Sequence, residues 1–206
     1  MSLKKGEPVF SGPAVLPRYA VALAASAGGI SALLHILASL PRDFAAPLLI
    51  VQHLSPRYHS RLAEIFDRRA KLMVVQVRGG EQATAGRVYV APPDRHLLVG
   101  STGLLELSDL AKVQHVRPSA DVLFASLAEA WGEGAIAVVL TGTGHDGAEG
   151  VCAIKEHGGT VIAQDEASAE FFGMPDAAFQ PGRVDRVLPS KRIASVLVEL
   201  TRGGRT

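Results

Sequence analysis

"VALAASAGGI", residues 21–30, runs apolar for five residues, presents one hydroxyl at Ser26 and then turns on Ala27, Gly28 and Gly29. An uninterrupted apolar run of this length fits a strand covered on both faces, as the strands of a parallel sheet are. Beyond the glycines, Ile30, Leu33, Leu34, Leu37 and Leu40 recur at helical spacing until Pro41 breaks the pattern. The unit is strand, tight turn, helix, and the fold depends on whether it repeats.

It repeats along most of the chain. "PLLIVQH" (47–53) is a second apolar run, followed by Leu62, Ile65 and Phe66 on an amphipathic stretch whose other faces carry Arg61, Glu64, Arg68 and Arg69. "KLMVVQV" (71–77) makes a third strand. The middle differs: "RVYVAPP" (87–93) is strand-like, and "HLLVG" and "GLLEL" flank Ser101 and Thr102 as two short strands joined by a tight turn. A hairpin is expected to decorate the sheet. Alternation resumes with a helix from about Ser119 to Ala130 opened by "PSAD", a strand "AIAVVL" (135–140) and a helix after Gly147. A strand "TVIAQ" (160–164) and a closing helix from Ser190 to about Thr201 complete the pattern. Apolar strands interleaved with amphipathic helices predict a doubly wound, mostly parallel α/β sheet with helices on both faces.

The 206 residues are 48% hydrophobic and 20% charged, enough for one domain with a substantial core. Residues 1–18 carry Gly6, Pro8, Gly12, Pro13 and Pro17 and read as a flexible tail or linker stump ahead of a domain over 19–203. A net charge of +1 gives no electrostatic excess for nucleic acid or an anionic membrane. The single cysteine, Cys152, cannot form an internal disulfide and reads as a small buried hydrophobe. "MSLKKGEPVF" lacks the apolar core of a signal peptide, and no stretch approaches ~18 apolar residues. These features predict a cytoplasmic protein without membrane insertion.

Functional groups on a doubly wound sheet collect at the carboxyl ends of the strands, where Ser26 falls. Taken alone, Ser26 reads as a helix N-cap. The sharper reading is a nucleophile elbow, because Ala24, Ala25, Ala27 and Gly28 are small enough for the crowded turn that displays such a serine. A nucleophilic serine needs a base and a group to orient the base. His53 ends the second apolar run, and Asp146 lies in "TGTGHDGA" just past the strand ending at Leu140. Alone, His53 reads as a surface histidine and Asp146 as a carboxylate favoured by a helix N-terminus; together with Ser26 they make a triad at three strand ends. Their order, Ser, His, Asp, differs from the Ser, Asp, His order of the α/β-hydrolases. The other histidines lack metal-ligand spacing, so no metal and no cofactor are expected. One rival remains: "GTGHDG" (142–147) matches the dinucleotide fingerprint, with Asp165 and Glu166 downstream, although Asp146 would set a carboxylate beside the pyrophosphate.

The sequence resembles the catalytic domain of the chemotaxis protein-glutamate methylesterase (CheB) family. The resemblance is carried in order by "AASAGG", "VQHLSP", "AGRVYVAPPDRHL", "HVRPSADVLF", "VVLTGTGHDGAEG", "TVIAQDEASAEFFGMPDAA" and "VDRVLP", from about Tyr19 to Ala194. It implies Ser26 as nucleophile, His53 as general base and Asp146 as its orienting group. The implied reaction is hydrolysis of glutamate methyl esters on the cytoplasmic helices of methyl-accepting chemoreceptors, through an acyl-serine. Some members of the family also deamidate receptor glutamines. Backbone amides at Ala27, Gly28, Gly29, Thr143 and Gly144 are the candidate oxyanion donors. Arg57, Arg61 and Arg95 are candidate contacts for an acidic substrate segment. A catalytically silent receptor-binding module is the other alternative. The family usually has threonine at Ala27, methionine at Thr143 and asparagine at His145; His145 adds a titratable group able to compete with His53 for the carboxylate. The family's amino-terminal receiver domain cannot be built from 18 residues, so the expectation is either a chain cut from a longer protein or regulation by a separate receiver domain or protein.

Overall fold

The structure, a computed structural model, describes residues 16–54, 60–179 and 182–203. Its elements in chain order are β1 (Ala20–Ala25), α1 (Gly29–Ser39), β2 (Leu48–Gln52), α2 (Leu62–Asp67), β3 (Met73–Gln76) and β4 (Arg87–Val90). Next come β5 (His96–Val99), β6 (Leu105–Ser108), α3 (Ala120–Trp131), a 3-10 turn (Gly132–Gly134), β7 (Ala135–Val139) and α4 (Ala148–Glu156). The chain continues with β8 (Thr160–Gln164), α5 (Gly173–Phe179), β9 (Arg186–Leu188) and α6 (Ser190–Thr201). Seven strands form one sheet in the order β3-β4-β2-β1-β7-β8-β9, and every neighbouring pair in it is parallel. β5 and β6 form the expected hairpin as a separate antiparallel pair.

Parallel strands need covering on both faces, and alternation along β1 supplies both. Ala20, Ala22 and Ala24 face one apolar layer with Leu123, Phe124 and Leu127 of α3, Val151 and Ile154 of α4, and Leu97 and Leu105 of the hairpin. Val21, Leu23 and Ala25 face the other, with Leu33, Ile36 and Leu37 of α1, Phe66 of α2 and Ile193 and Leu197 of α6. All six side chains of β1 are fully buried. Alanine at alternate positions lets α3 approach the sheet closely, which matters because the amino end of α3 reaches the site.

On one side of β1 the strands run outward as β2, β4 and β3, with β4 inserted between its two predecessors, and on the other side as β7, β8 and β9. The winding therefore reverses between β1 and β7, and such a switch point opens a crevice at the carboxyl ends of the strands. β9 and α5 were not visible as elements in the sequence. β9 is three residues long and half exposed, and α5 holds Gly173 and Pro175, so neither has a clear period. Cys152 is half-buried rather than buried, its thiol lying 3.6 Å from the carbonyl of Ala148. Among the described residues, no helix is long and apolar enough to cross a membrane.

Candidate active site

Ser26, His53 and Asp146 follow β1, β2 and β7, three adjacent strands flanking the switch point. The Ser26 turn is fixed from several sides. Its amide donates to the carbonyl of Thr141 at 3.0 Å, and its own carbonyl accepts from the Gly29 amide at 3.0 Å. Gly28 sits at φ 74°, where a side chain is strained. A Cβ there would also lie 2.8 Å from Oε2 of Glu170 and 3.1 Å from Oγ1 of Thr141.

The capping role considered for Ser26 is not what the structure contains. Gly28 is the N-cap of α1, and among the described residues the Ser26 hydroxyl has no hydrogen-bond partner. A half-buried hydroxyl on a tight turn, leaving the helix uncapped, is available for chemistry.

His53 and Asp146 meet directly, with Nε2 2.7 Å from Oδ2. A carboxylate accepts only, so Nε2 is the protonated nitrogen and Nδ1 carries the lone pair of the neutral ring. Strands next but one to each other lie about 10 Å apart. The His53–Asp146 bond therefore spans the carboxyl end of β1, and the imidazole reaches across the strand that carries Ser26. His53 is 12% exposed and Asp146 4%, a nearly dry pair at the edge of the crevice.

Taken alone, Asp146 reads as a carboxylate for the helix that follows it, but its side chain serves a different helix. Its Oδ2 also accepts from the amide of Ala120 at 2.6 Å, while Oδ1 accepts from Ser119 Oγ at 2.6 Å and the Asp121 amide at 3.2 Å. It thus caps α3, whereas α4 is capped by a carboxylate from α3. Asp121 Oδ1 accepts from the amides of Gly147 at 2.9 Å and Gly150 at 2.8 Å. The two helices exchange carboxylates across their amino ends. Helix dipoles and free amides favour negative charge at both places.

The two carboxyls titrate in opposite senses. Burial alone would raise Asp146, but hydrogen bonds from His53, Ser119 and the Ala120 amide outweigh it and hold this carboxyl below its ordinary value. Burial pushes Asp121 up to about 6, the Gly150 amide opposing and the charge of Asp146 adding to the rise. Asp146 is thereby kept as the permanent anion facing His53. Neither Ser119 nor Asp121 was singled out in the sequence as part of the site. The signal available was "PSAD", whose serine and aspartate read as local caps of their own helix, while their actual partners lie 27 and 26 or more residues away.

The remaining expected site residues divide. The Gly29 amide closes the Ser26 turn and is not free for an oxyanion, a correction to its grouping with its neighbours. The amides of Ala27, Gly28, Thr143 and Gly144 donate to nothing among the described residues. His145 is exposed and absent from the partners of Asp146, so the expected competition with His53 does not occur. Arg61 is paired with Glu64 through Nε at 3.0 Å, and Arg95 approaches Asp109 at 2.6 Å and donates to the Leu107 carbonyl, so neither is an uncommitted cation. Arg57 lies outside the described residues. The dinucleotide alternative meets an obstacle in the glycine loop: the α4 amides that would hold a phosphate already hold Asp121.

A family model described as CheB methylesterase matches residues 21–197. The protein-glutamate methylesterase/protein-glutamine glutaminase 2 of Anaeromyxobacter dehalogenans is 46% identical over 182 residues, covering 88% of this chain and 53% of that protein. A Pyrococcus horikoshii protein-glutamate methylesterase/protein-glutamine glutaminase is 40% identical over 198 residues, covering 93% and 54% respectively. The chain spans about half the length of the curated relatives it matches. A crystal structure of the Thermotoga maritima CheB methylesterase catalytic domain superposes with a TM-score of 0.85 at 38% identity, covering 88% of this chain and 98% of that one.

Proposed function

The chain belongs to the CheB methylesterase family, and from that membership we propose that it hydrolyses glutamate methyl esters on the cytoplasmic helices of chemoreceptors, with Ser26 as nucleophile. Nδ1 of His53 takes the Ser26 proton as Oγ attacks the ester carbonyl, and the resulting imidazolium is stabilised by the Asp146 carboxylate 2.7 Å from Nε2. The tetrahedral oxyanion is received by free amides of Ala27 or Gly28 and of Thr143 or Gly144 on the facing loop. Collapse expels methanol with the proton carried by Nδ1. Water, deprotonated by the same nitrogen, then cleaves the acyl-serine to give glutamate. Names given to relatives include glutaminase activity, and the same acyl-serine forms from a glutamine amide with ammonia leaving.

The observation that carries this reading is the His53–Asp146 bond spanning the strand that leads into Ser26, whose hydroxyl has no hydrogen-bond partner among the described residues. The test is methanol release from a methylated chemoreceptor cytoplasmic fragment. Ser26→Ala is expected to abolish it while leaving the fold unchanged. Methanol release by Ser26→Ala at the wild-type rate would refute the assignment. A wild-type protein that binds the fragment but releases nothing would favour the silent binding module.

A further inference from the structure

Gln52 is the last residue of β2, is 4% exposed, and belongs to no part of the triad. Its side-chain amide nevertheless touches both neighbours of the chemistry. Nε2 donates to the carbonyl of Ser26 at 2.8 Å and to the carbonyl of His53 at 3.0 Å. A primary amide has two N–H bonds, and here one goes to each residue. Among the described residues, no other side chain bridges Ser26 to His53.

The bridge completes a three-sided hold on the nucleophile. The Ser26 amide is fixed to Thr141 beside β7, and its carbonyl accepts from both Gly29 and Gln52. On the other side, the His53 amide donates to the Ala25 carbonyl at 3.0 Å. Gln52 thus sets the spacing between the turn displaying Oγ and the turn displaying the imidazole. The arrangement has a feature that stability alone does not account for. Oε1 of Gln52 is buried without a hydrogen-bond partner among the described residues, against Gly29, where any Cβ would collide with it. A buried acceptor left unpaired is destabilising, and an apolar side chain of similar length would avoid it. What an apolar side chain cannot supply is a pair of donors split between two carbonyls.

We infer that Gln52 is a positioning residue for the reaction proposed above, holding Ser26 and His53 in register through the two hydrogens of its amide. The inference rests on that reading for its substrate but not for its geometry, so the test uses two probes. One is methanol release from the methylated receptor fragment. The other is the labelling rate of Ser26 by a small fluorophosphonate, which needs an activated serine and no receptor.

In Gln52→Met, both kcat and the labelling rate are expected to fall together, on the order of 10- to 100-fold, as misplacement by a fraction of an ångström to 1 Å does. KM should stay within about threefold, because Gln52 lies beneath the turns and not on the substrate's path. Gln52→Glu provides the second reading. As a carboxylate it presents only acceptors to the two carbonyls; once protonated it regains one donor. Its labelling rate relative to wild type should therefore rise as the pH falls from 8 to 6. A Gln52→Met protein that labels and turns over within about threefold of wild type overturns the inference, as does a loss confined to KM. If Gln52→Met does not fold, the Gln52→Glu ratio decides, and a ratio flat with pH overturns the inference. A wild-type protein that labels rapidly yet releases no methanol would sink the ester substrate alone, and the labelling rates would still decide the role of Gln52.

Discussion

Replacing Asp121 by asparagine should stabilise this protein at neutral pH and do nothing at acid pH. Asp121 is buried between α3 and α4, and its carboxyl is raised from 3.8 to about 6. For an acid raised on folding, the native state binds more protons than the unfolded chain between those two values. Stability therefore falls as pH rises through that window and stays reduced above it. A displacement of this size corresponds to about 3 kcal/mol. Asparagine mimics the protonated form: its Oδ1 still accepts from the amides of Gly147 and Gly150, which cap α4. The other contact can be repaired. Gln114 now donates through Nε2 to Oδ2 of Asp121 at 3.2 Å, and its Oε1 is buried without a partner among the described residues. Rotating the Gln114 amide turns that oxygen toward the new Nδ2 and gives it a donor. Chemical denaturation of both proteins at pH 4, 5, 6, 7 and 8 measures the effect. The gain of Asp121→Asn over wild type should grow by about 3 kcal/mol across the series, roughly 6–12 °C in Tm for a chain of this size. Asp146 is lowered rather than raised, so its own contribution is lost only at still lower pH and largely cancels in the difference. Parallel pH-stability curves for the two proteins would refute the reasoning, and so would a gain that shrinks toward pH 8.

Ser119→Ala removes the hydroxyl that lies 2.6 Å from Oδ1 of Asp146. The loss of a hydrogen bond to a buried charge should destabilise the protein by about 1.5–3 kcal/mol in denaturant titrations, and kcat should fall with it because the carboxylate is less firmly held. His145→Asn removes an exposed ring that is not among the hydrogen-bond partners of Asp146. The pH profile of kcat/KM should overlay that of wild type to within about twofold, and a displaced limb would show that His145 acts on the site after all.

The strands, and the placement of Ser26, His53 and Asp146 at their ends, were legible in the sequence because each is a local signal. β1, β2, β7 and β8 are apolar runs, and Ser26, His53 and Asp146 sit at or just past strand ends, where an active site on such a sheet assembles. What holds those side chains was not legible, because every holding contact is remote. Ser119 and Asp121 look like caps for α3, yet Ser119 serves Asp146 and Asp121 serves α4. Gln52 reads as the polar end of a strand, and only the register Ala25↔Gln52 brings its amide under the neighbouring turn. The role of Gly29 was misjudged for a related reason: a glycine after a serine offers an amide, but the turn itself takes it up.

The chain order Ser, His, Asp follows from the winding of the sheet. β1 is laid first and remains central, β2 is added on one flank, and β7 arrives on the other after the chain has returned from the hairpin. Ser26 therefore follows the strand that lies between those leading to His53 and Asp146. The imidazole must cross β1 to reach Asp146, and it presents Nε2 to the carboxylate in doing so. That leaves Nδ1, the nitrogen nearer the backbone of His53, for the role on Ser26 proposed above. The position of Nδ1 is consequently tied to the backbone of the β2 turn more tightly than Nε2 would be, since Nδ1 lies two bonds from Cβ and Nε2 three, and a given swing about Cα–Cβ displaces it less. The same tie makes the spacing between the two turns matter as much as the rotamer of the histidine.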